Sequence, residues 1–223
     1  MKLCLCSQAD ILDGLVPELE KLVGKNAKDM SVAFIVDAKS NIVFNKKRHI
    51  DELYRAVSKF GDKIGLINLY AITGKEIESS LAQADVIWCL GGNTDYLKTV
   101  FDKSGFSNLL PDLLKRCVWV GSSAGSMILG KRLDHRHAMR HKKVETYGNT
   151  KYLEILDLAI SPHLNADKYP EHSMEVCITE SKQNKFPIYA LSDKSALIID
   201  GEKTYMIGTE CYKMVDGHIK EQR

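Results

Sequence analysis

A glycine–serine segment at residues 121–125 carries the strongest chemical signal in the sequence. It reads GSSAG, follows the apolar run Val118–Val120 and precedes the apolar residues Met127–Leu129. A G-x-S-x-G pattern between a strand and a helix is typical of a nucleophile elbow, where a sharp turn exposes the central serine. The following helix N-terminus directs free backbone N–H groups toward a developing oxyanion. This spacing makes Ser123 the candidate nucleophile, and a plain Gly/Ser-rich turn is the alternative interpretation.

A second glycine-rich segment, GGNT at residues 91–94, follows the apolar run Val86–Leu90. It lacks the G-x-G-x-x-G fingerprint of dinucleotide-binding proteins and the Gly-Lys-Ser/Thr of phosphate-binding loops. Asn93 or Thr94 can cap the next helix. The segment can also supply a backbone N–H group beside the nucleophile. We therefore expect Asn93 and Thr94 to contact the substrate at this rim.

A nucleophilic serine needs a general base, and His163 is the best placed of the seven histidines. It follows the apolar run 158–162, so it lies at the end of a predicted strand, on the same rim as Ser123. Asp193 follows Leu191 at another strand end and is the first candidate for the acid that orients the imidazole. The sequence leaves four alternatives open for that role: Asp134, Asp157, Asp167 and Asn165.

Short apolar runs alternate with helical patterns over the first 130 residues. Runs of this kind predict parallel strands with helices on both faces. The predicted strands are Lys2–Cys6, Ser31–Asp37, Ile64–Tyr70, Asp85–Leu90 and Cys117–Gly121. The predicted helices are Asp10–Val23, Asp51–Phe60, Thr94–Phe101 and Asn108–Leu114, and a capping box at 73–76 indicates another helix with Ile77, Leu81 and Ala82. The fold class is therefore α/β, with a mostly parallel sheet, in one domain spanning residues 1–223.

The C-terminal part has a different pattern. A strand is predicted at Ile155–Ile160 and a helix at Tyr169–Thr179. Four short strands then follow, with turns at Asp200-Gly201 and Asp216-Gly217, and this spacing predicts a β-meander. The four strands are Pro187–Leu191, Ser195–Ile199, Thr204–Ile207 and Cys211–Val215.

Composition narrows the classes of function. The 31 Lys and Arg nearly balance the 29 Asp and Glu, which argues against a nucleic-acid-binding protein. No run approaches the roughly 20 apolar residues of a membrane span, and the N-terminus has no signal-peptide pattern. The six cysteines lie in apolar runs without a C-x-x-C pair, which is typical of reduced, buried thiols in a cytoplasmic protein.

Four sequence blocks in order resemble peptidase E, the dipeptidase E-like serine peptidases of family S51. They are GGNT at 91–94, GSSAGS at 121–126, SPH at 161–163 and ALSDKSAL at 190–197. The resemblance implies a class I glutamine amidotransferase-like fold with serine in place of cysteine at the elbow. It implies Ser123 as nucleophile, His163 as general base, and the N–H groups of Gly92 and Ala124 as the oxyanion hole. Asp193 falls where the family usually has a glutamate.

The order of the candidate residues separates two related classes. Here the order is Ser123, His163, Asp193, whereas α/β-hydrolases have the acid before the histidine. A glutamine amidotransferase would need Cys at 123 and a His-x-Glu pair, but this chain has His163-Leu164-Asn165. Both classes are therefore disfavoured.

The resemblance implies an exopeptidase that cleaves small peptides, with no metal and no organic cofactor. Peptidase E itself cleaves after an N-terminal aspartate and holds its carboxylate with an arginine downstream of the base. Residues 168–185 contain no arginine, and lysine lacks the bidentate fork. Three arginines of the basic segment Lys131–Lys143 could take the place of this carboxylate-binding arginine: Arg132, Arg136 and Arg140. Two alternative functions remain, a non-catalytic small-molecule or anion-binding module and an esterase-type acyl hydrolase. The sequence does not indicate an oligomeric state.

Overall fold

The larger of two sheets has seven strands and carries the glycine–serine segment at its centre. A computed structural model describes residues 1–40, 46–72, 74–133 and 151–223. The seven strands are β1 (Lys2–Cys6), β2 (Val32–Ile35), β3 (Ile64–Ile67), β4 (Val86–Cys89), β5 (Val118–Ser122), β8 (Ser195–Asp200) and β9 (Lys203–Gly208). Their order across the sheet is β3-β2-β4-β5-β1-β8-β9. The first five pair in parallel, and β8 and β9 are antiparallel to their neighbours.

Helices cover both faces of this sheet, as the apolar runs predict. The helices of the described residues are α1 (Leu15–Val23), α2 (Lys46–Val57), α3 (Gly74–Leu81), α4 (Thr94–Lys103), α5 (Phe106–Arg116), α6 (Ala124–Met127) and α7 (Met174–Gln183). One apolar core packs α1 and α2 against one face, and a second packs α3, α4 and α5 against the other. The predicted α/β fold with a mostly parallel sheet and helices on both faces is confirmed.

A second sheet is formed by the C-terminal half of the chain. Its strands are β6 (Ala159–Ser161), β7 (Ile188–Leu191), β10 (Cys211–Val215) and β11 (His218–Gln222), in the order β11-β10-β7-β6. The strands predicted as one meander are therefore divided between two sheets. The β8–β9 hairpin joins the large sheet, where β8 pairs with β1 and is buried on both faces.

Several predicted boundaries differ from the structure: the helix predicted at Asp51–Phe60, for example, spans Lys46–Val57. Helix α1 begins at Leu15 rather than Asp10, because Gly14 adopts a left-handed conformation immediately before it. Helix α7 begins at Met174 rather than Tyr169, because a 3₁₀ turn at Pro170–His172 precedes the cap residue Ser173. The strand predicted from Ile155 is confined to β6.

The helices of the described ranges are short, and the longest, α2, has 12 residues. None of them combines the length and apolar character that a bilayer span requires.

Candidate active site

Ser123 lies at a strained turn between β5 and α6. Its φ of 51° and ψ of −106° fall in a region that non-glycine residues rarely occupy. Two flanking glycines make this turn possible. A Cβ at Gly121 would lie 2.5 Å from the carbonyl oxygen of Gly125, and a Cβ at Gly125 would lie 2.2 Å from that of Cys89. The GSSAG segment therefore has the backbone geometry of a nucleophile elbow.

The three serine hydroxyls of this segment have different surroundings. Ser122 Oγ is buried beside the Glu52 carboxylate at 3.4 Å. Ser126 Oγ is buried within 2.8 Å of the carbonyl oxygens of Cys6 and Gly121. Only Ser123 of the three has its Oγ within hydrogen-bond distance of a histidine among the described contacts, as the central position of the pattern predicts.

His163 lies between Ser123 and Asp193. Its Nε2 is 3.0 Å from Ser123 Oγ, and its Nδ1 is 2.6 Å from Asp193 Oδ1. The imidazole is buried, whereas the Asp193 side chain is 37% exposed. With the ring proton on Nδ1, the imidazole donates to the carboxylate and presents an acceptor nitrogen to the serine hydroxyl. The structure thus brings together the three predicted catalytic side chains.

The alternatives to Asp193 do not reach the imidazole in the part of the chain that is described. The Asp157 side chain is 88% exposed and lies 3.7 Å from Lys131 Nζ. Asp167 is exposed. Asn165 is exposed too, and its Oδ1 accepts a hydrogen bond from the Met174 N–H at 2.9 Å. The fourth alternative, Asp134, lies outside the described residues.

The backbone N–H groups of Gly92 and Ala124 are available beside Ser123. Ala124 is the first residue of α6, so its N–H has no acceptor within the helix. Over the described residues, Gly92 N–H has no hydrogen-bond acceptor either. Gly92 has a φ of 152°, and a Cβ there would lie 2.1 Å from the Ala38 carbonyl oxygen. A Cβ on Gly91 would lie 3.0 Å from the Ser123 Cβ, so the two loops are adjacent.

The two predicted substrate-contacting residues already make contacts within the protein. Asn93 caps α4, and its Oδ1 accepts a hydrogen bond from the Tyr96 N–H at 2.9 Å. Thr94 is buried, and its Oγ1 lies 3.8 Å from Met127 Sδ. Their contact with substrate stays a prediction.

The arginines proposed as carboxylate-binding groups are only partly described. The Arg132 side chain is buried, with Nη1 3.7 Å from Asp95 Oδ1. This acidic neighbour already balances its charge. Arg136 and Arg140 lie outside the described residues.

Sequence reasoning missed three residues that contact His163. Ser7, which follows β1, has its Oγ 2.8 Å from Asp193 Oδ1 and accepts a hydrogen bond from the His163 N–H at 2.7 Å. The Tyr169 ring stacks on the imidazole at 4.4 Å, and the His172 ring lies edge-on to it at 6.2 Å. His172 is buried. The position of Ser7 at the carboxyl end of a central strand could have identified it.

The cysteines nearest the elbow are poor nucleophiles. Burial, with a smaller effect of the Asp10 carboxylate, raises the pKa of Cys6 well above its usual value. Burial likewise raises the pKa of Cys89, and the Asp37 carboxylate adds to the effect. Both thiols therefore stay protonated at neutral pH.

Metal ligands are not grouped in the described ranges. Within residues 1–40, 46–72, 74–133 and 151–223, no three His, Cys, Asp or Glu side chains are arranged to hold a metal ion.

The fold and the elbow define an α/β protein with a serine at the carboxyl edge of a mostly parallel sheet. The family model for peptidase family S51 matches residues 4–207 of this chain. The chain therefore belongs to peptidase family S51, which confirms the family expected from the four sequence blocks.

Sequence relatives agree with this assignment. The chain is 25% identical over 180 residues to an uncharacterized peptidase of Listeria monocytogenes, covering 80% of this chain and 86% of the relative. It is 23% identical over 185 residues to an uncharacterized peptidase of Pasteurella multocida, covering 82% and 87%.

Two solved structures share the fold. A Listeria monocytogenes EGD-e protein provisionally described as peptidase E superimposes with a TM-score of 0.71 at 20% identity, over 93% of this chain and 98% of that one. A peptidase from an acI-B1 actinobacterium gives a TM-score of 0.67 at 16% identity, over 98% and 95%.

Proposed function

We propose that this peptidase is a serine-type exopeptidase that cleaves small peptides, with Ser123 as nucleophile, His163 as general base and Asp193 as the acid. The observation that carries the proposal is the unbroken line of contacts from Ser123 Oγ to His163 Nε2 and from His163 Nδ1 to Asp193 Oδ1. A serine hydroxyl is a weak nucleophile unless an adjacent base accepts its proton. This line supplies the base and the group that orients it.

In the acylation step, Ser123 Oγ attacks the scissile carbonyl carbon while its proton moves to His163 Nε2. The Asp193 carboxylate stabilises the imidazolium that forms. Collapse of the tetrahedral intermediate breaks the C–N bond, and the imidazolium returns the proton to the leaving amine. An acyl-enzyme on Ser123 remains.

In the deacylation step, water attacks the acyl carbon and gives a proton to His163 Nε2. Collapse then breaks the bond to Ser123 Oγ, which takes the proton back, and the carboxylic acid product leaves. The N–H groups of Gly92 and Ala124 supply hydrogen bonds to the oxyanion in both steps. Each such donor contributes roughly 10²–10³-fold to the rate in comparable sites.

The exopeptidase and dipeptidase part of the proposal is supported by the four sequence blocks and by the peptidase E description of one structural relative. Asn93 and Thr94, at the start of α4, are the proposed substrate-contacting residues. An N-terminal aspartyl preference has less support, because Arg132 lies against Asp95 and no arginine follows the base in residues 168–185.

A substrate panel tests this proposal. The panel contains dipeptides with acidic, neutral and basic first residues, their N-acetylated forms, longer peptides and an activated ester, each with wild type and Ser123→Ala. We expect wild type to cleave free dipeptides fastest and Ser123→Ala to cleave none. Cleavage of the ester alone would indicate an acyl hydrolase. Tight binding of a panel member without turnover would indicate a binding module.

A further inference from the structure

Ser7 joins the segments that carry His163 and Asp193. It follows β1 in the large sheet, whereas His163 follows β6 and Asp193 follows β7 in the second sheet. Ser7 is fully buried. Its hydroxyl is therefore a polar group in the protein interior, where an unsatisfied hydrogen-bonding group would destabilise the fold.

The Ser7 hydroxyl makes directed contacts with both residues. Its O–H donates to Asp193 Oδ1 at 2.8 Å, and its oxygen accepts from the His163 backbone N–H at 2.7 Å. The same Asp193 oxygen accepts from His163 Nδ1 at 2.6 Å. The Ser7 hydroxyl thus holds both the Asp193 carboxylate and the His163 backbone. The same carboxylate in turn orients the His163 ring.

Both residues need such support. The Asp193 side chain is 37% exposed, so water competes for its oxygens. His163 has a φ of 59°, a left-handed conformation that non-glycine residues rarely adopt. The hydrogen bond from the His163 N–H to Ser7 holds that conformation, and the hydrogen bond to Asp193 keeps the carboxylate facing the ring.

We propose that Ser7 is a positioning residue of this peptidase. It holds Asp193 and His163 in the orientation that proton transfer from Ser123 requires. The proposal rests on the proposed catalytic roles of Ser123, His163 and Asp193. Ser7 itself touches neither substrate nor the reacting atoms. Its effect is on how well the imidazole is aligned when the serine loses its proton.

Ser7→Ala tests the proposal. We expect kcat on the best dipeptide to fall roughly 10- to 100-fold, since misplacement of a catalytic group by about 1 Å costs on the order of 10²-fold. We expect KM to change less than about twofold, because Ser7 does not face the substrate. In ¹⁵N-histidine-labelled protein, the Nδ1 proton resonance of His163 should shift or broaden, which a merely structural serine would not cause.

Two further variants serve as controls. Ser195→Ala removes another fully buried serine hydroxyl, which donates to the Ser192 carbonyl oxygen at 3.2 Å and touches none of the three catalytic side chains. We expect it to keep wild-type kcat. Ser7→Thr keeps the hydroxyl and should recover activity relative to Ser7→Ala.

The outcomes distinguish a failure of the Ser7 proposal from a failure of the proposed catalytic roles of Ser123, His163 and Asp193. A Ser7→Ala kcat within twofold of wild type, or an equal loss in Ser195→Ala, would overturn the role of Ser7. If Ser123→Ala keeps turnover, the catalytic assignment itself fails. If Ser123→Ala is inactive while Ser7→Ala is fully active, only the positioning role fails.

Discussion

At the scale of single residues, Ser123 and His163 share an unusual property. Both have positive φ, 51° and 59°, although neither is a glycine. Such strain persists only where the surroundings hold it. The Ser123 N–H donates to the Cys6 carbonyl oxygen at 3.0 Å, and the His163 N–H donates to Ser7. The carboxyl end of β1 and the residue that follows it, Cys6 and Ser7, therefore hold both strained residues.

The Asp193 contact with His163 leads to a prediction at the same scale. Asp193→Asn should lower kcat by up to about 10⁴-fold, because an amide in place of the carboxylate favours the wrong imidazole tautomer and stabilises no imidazolium. Steady-state kinetics on a cleaved dipeptide measure this loss.

Asp157→Asn is the matched control, because Asp157 is one of the alternative acids and lies exposed beside Lys131. It should retain wild-type kcat. A full loss in Asp157→Asn with activity kept in Asp193→Asn would reverse the assignment.

The Ser123 and His163 positions were predictable from sequence, and the strand end before Ser7 was too, whereas the contacts of Ser7 were not. The elbow is a local pattern of five residues, and His163 follows an apolar run that indicates a strand end. Ser7 contacts His163 and Asp193, which lie 156 and 186 positions further along the chain. No local spacing records such contacts, because they exist only once the two sheets are assembled.

At the scale of elements, the close approach of α6 to β4 explains why the elbow needs glycine. A Cβ at Gly125, within α6, would lie 2.2 Å from the Cys89 carbonyl oxygen at the end of β4. This oxygen belongs to the backbone of a central strand, so it cannot move without disturbing the sheet.

Gly125→Ala should therefore destabilise the fold by about 2 kcal/mol or more, as overpacking does in cores, and should also lower activity. Gly65→Ala is the matched control, because a Cβ at Gly65 in β3 meets no atom within 4 Å. Urea unfolding of both variants compares the two free energies of unfolding. Equal stability of both variants would contradict the packing argument.

Strand identity was largely predictable, but strand partners were not. Both β7 and β8 are short apolar runs, and their periodicity is the same whichever sheet they join. Their division follows from tertiary packing: β7 pairs with β6 and β10, while β8 covers the edge of β1. Apolar pattern alone therefore gave the strands and left the two-sheet arrangement undetermined.

At the scale of the whole molecule, the candidate site lies where the two sheets meet. The large sheet supplies Ser123 and Gly92, and the second sheet supplies His163 and Asp193. Strands β6 and β7 are parallel, so their carboxyl ends lie at the same edge of the sheet. His163 and Asp193 follow these two strand ends and therefore lie on the same edge. One apolar core includes residues of both sheets, among them Leu5 and Leu191. Packing between the sheets therefore sets the distances among Ser123, His163 and Asp193.

The buried thiols provide a test of this packing. All six cysteines are free and buried, and burial raises the pKa of Cys211 to about 12. At pH 8 the native protein should therefore react negligibly with a thiol reagent such as DTNB, and all six thiols should react after unfolding. Rapid reaction of a native thiol, accompanied by loss of activity, would point to a cysteine in the chemistry.

The most direct test of the central claim is covalent labelling with a fluorophosphonate, read by intact mass and peptide mapping. The serine assignment predicts one adduct on wild type, located at Ser123, and none on Ser123→Ala. It also predicts that Ser123→Ala loses turnover by a factor on the order of 10⁶. An adduct at another residue, or no adduct on folded wild type that still cleaves peptides, would contradict it.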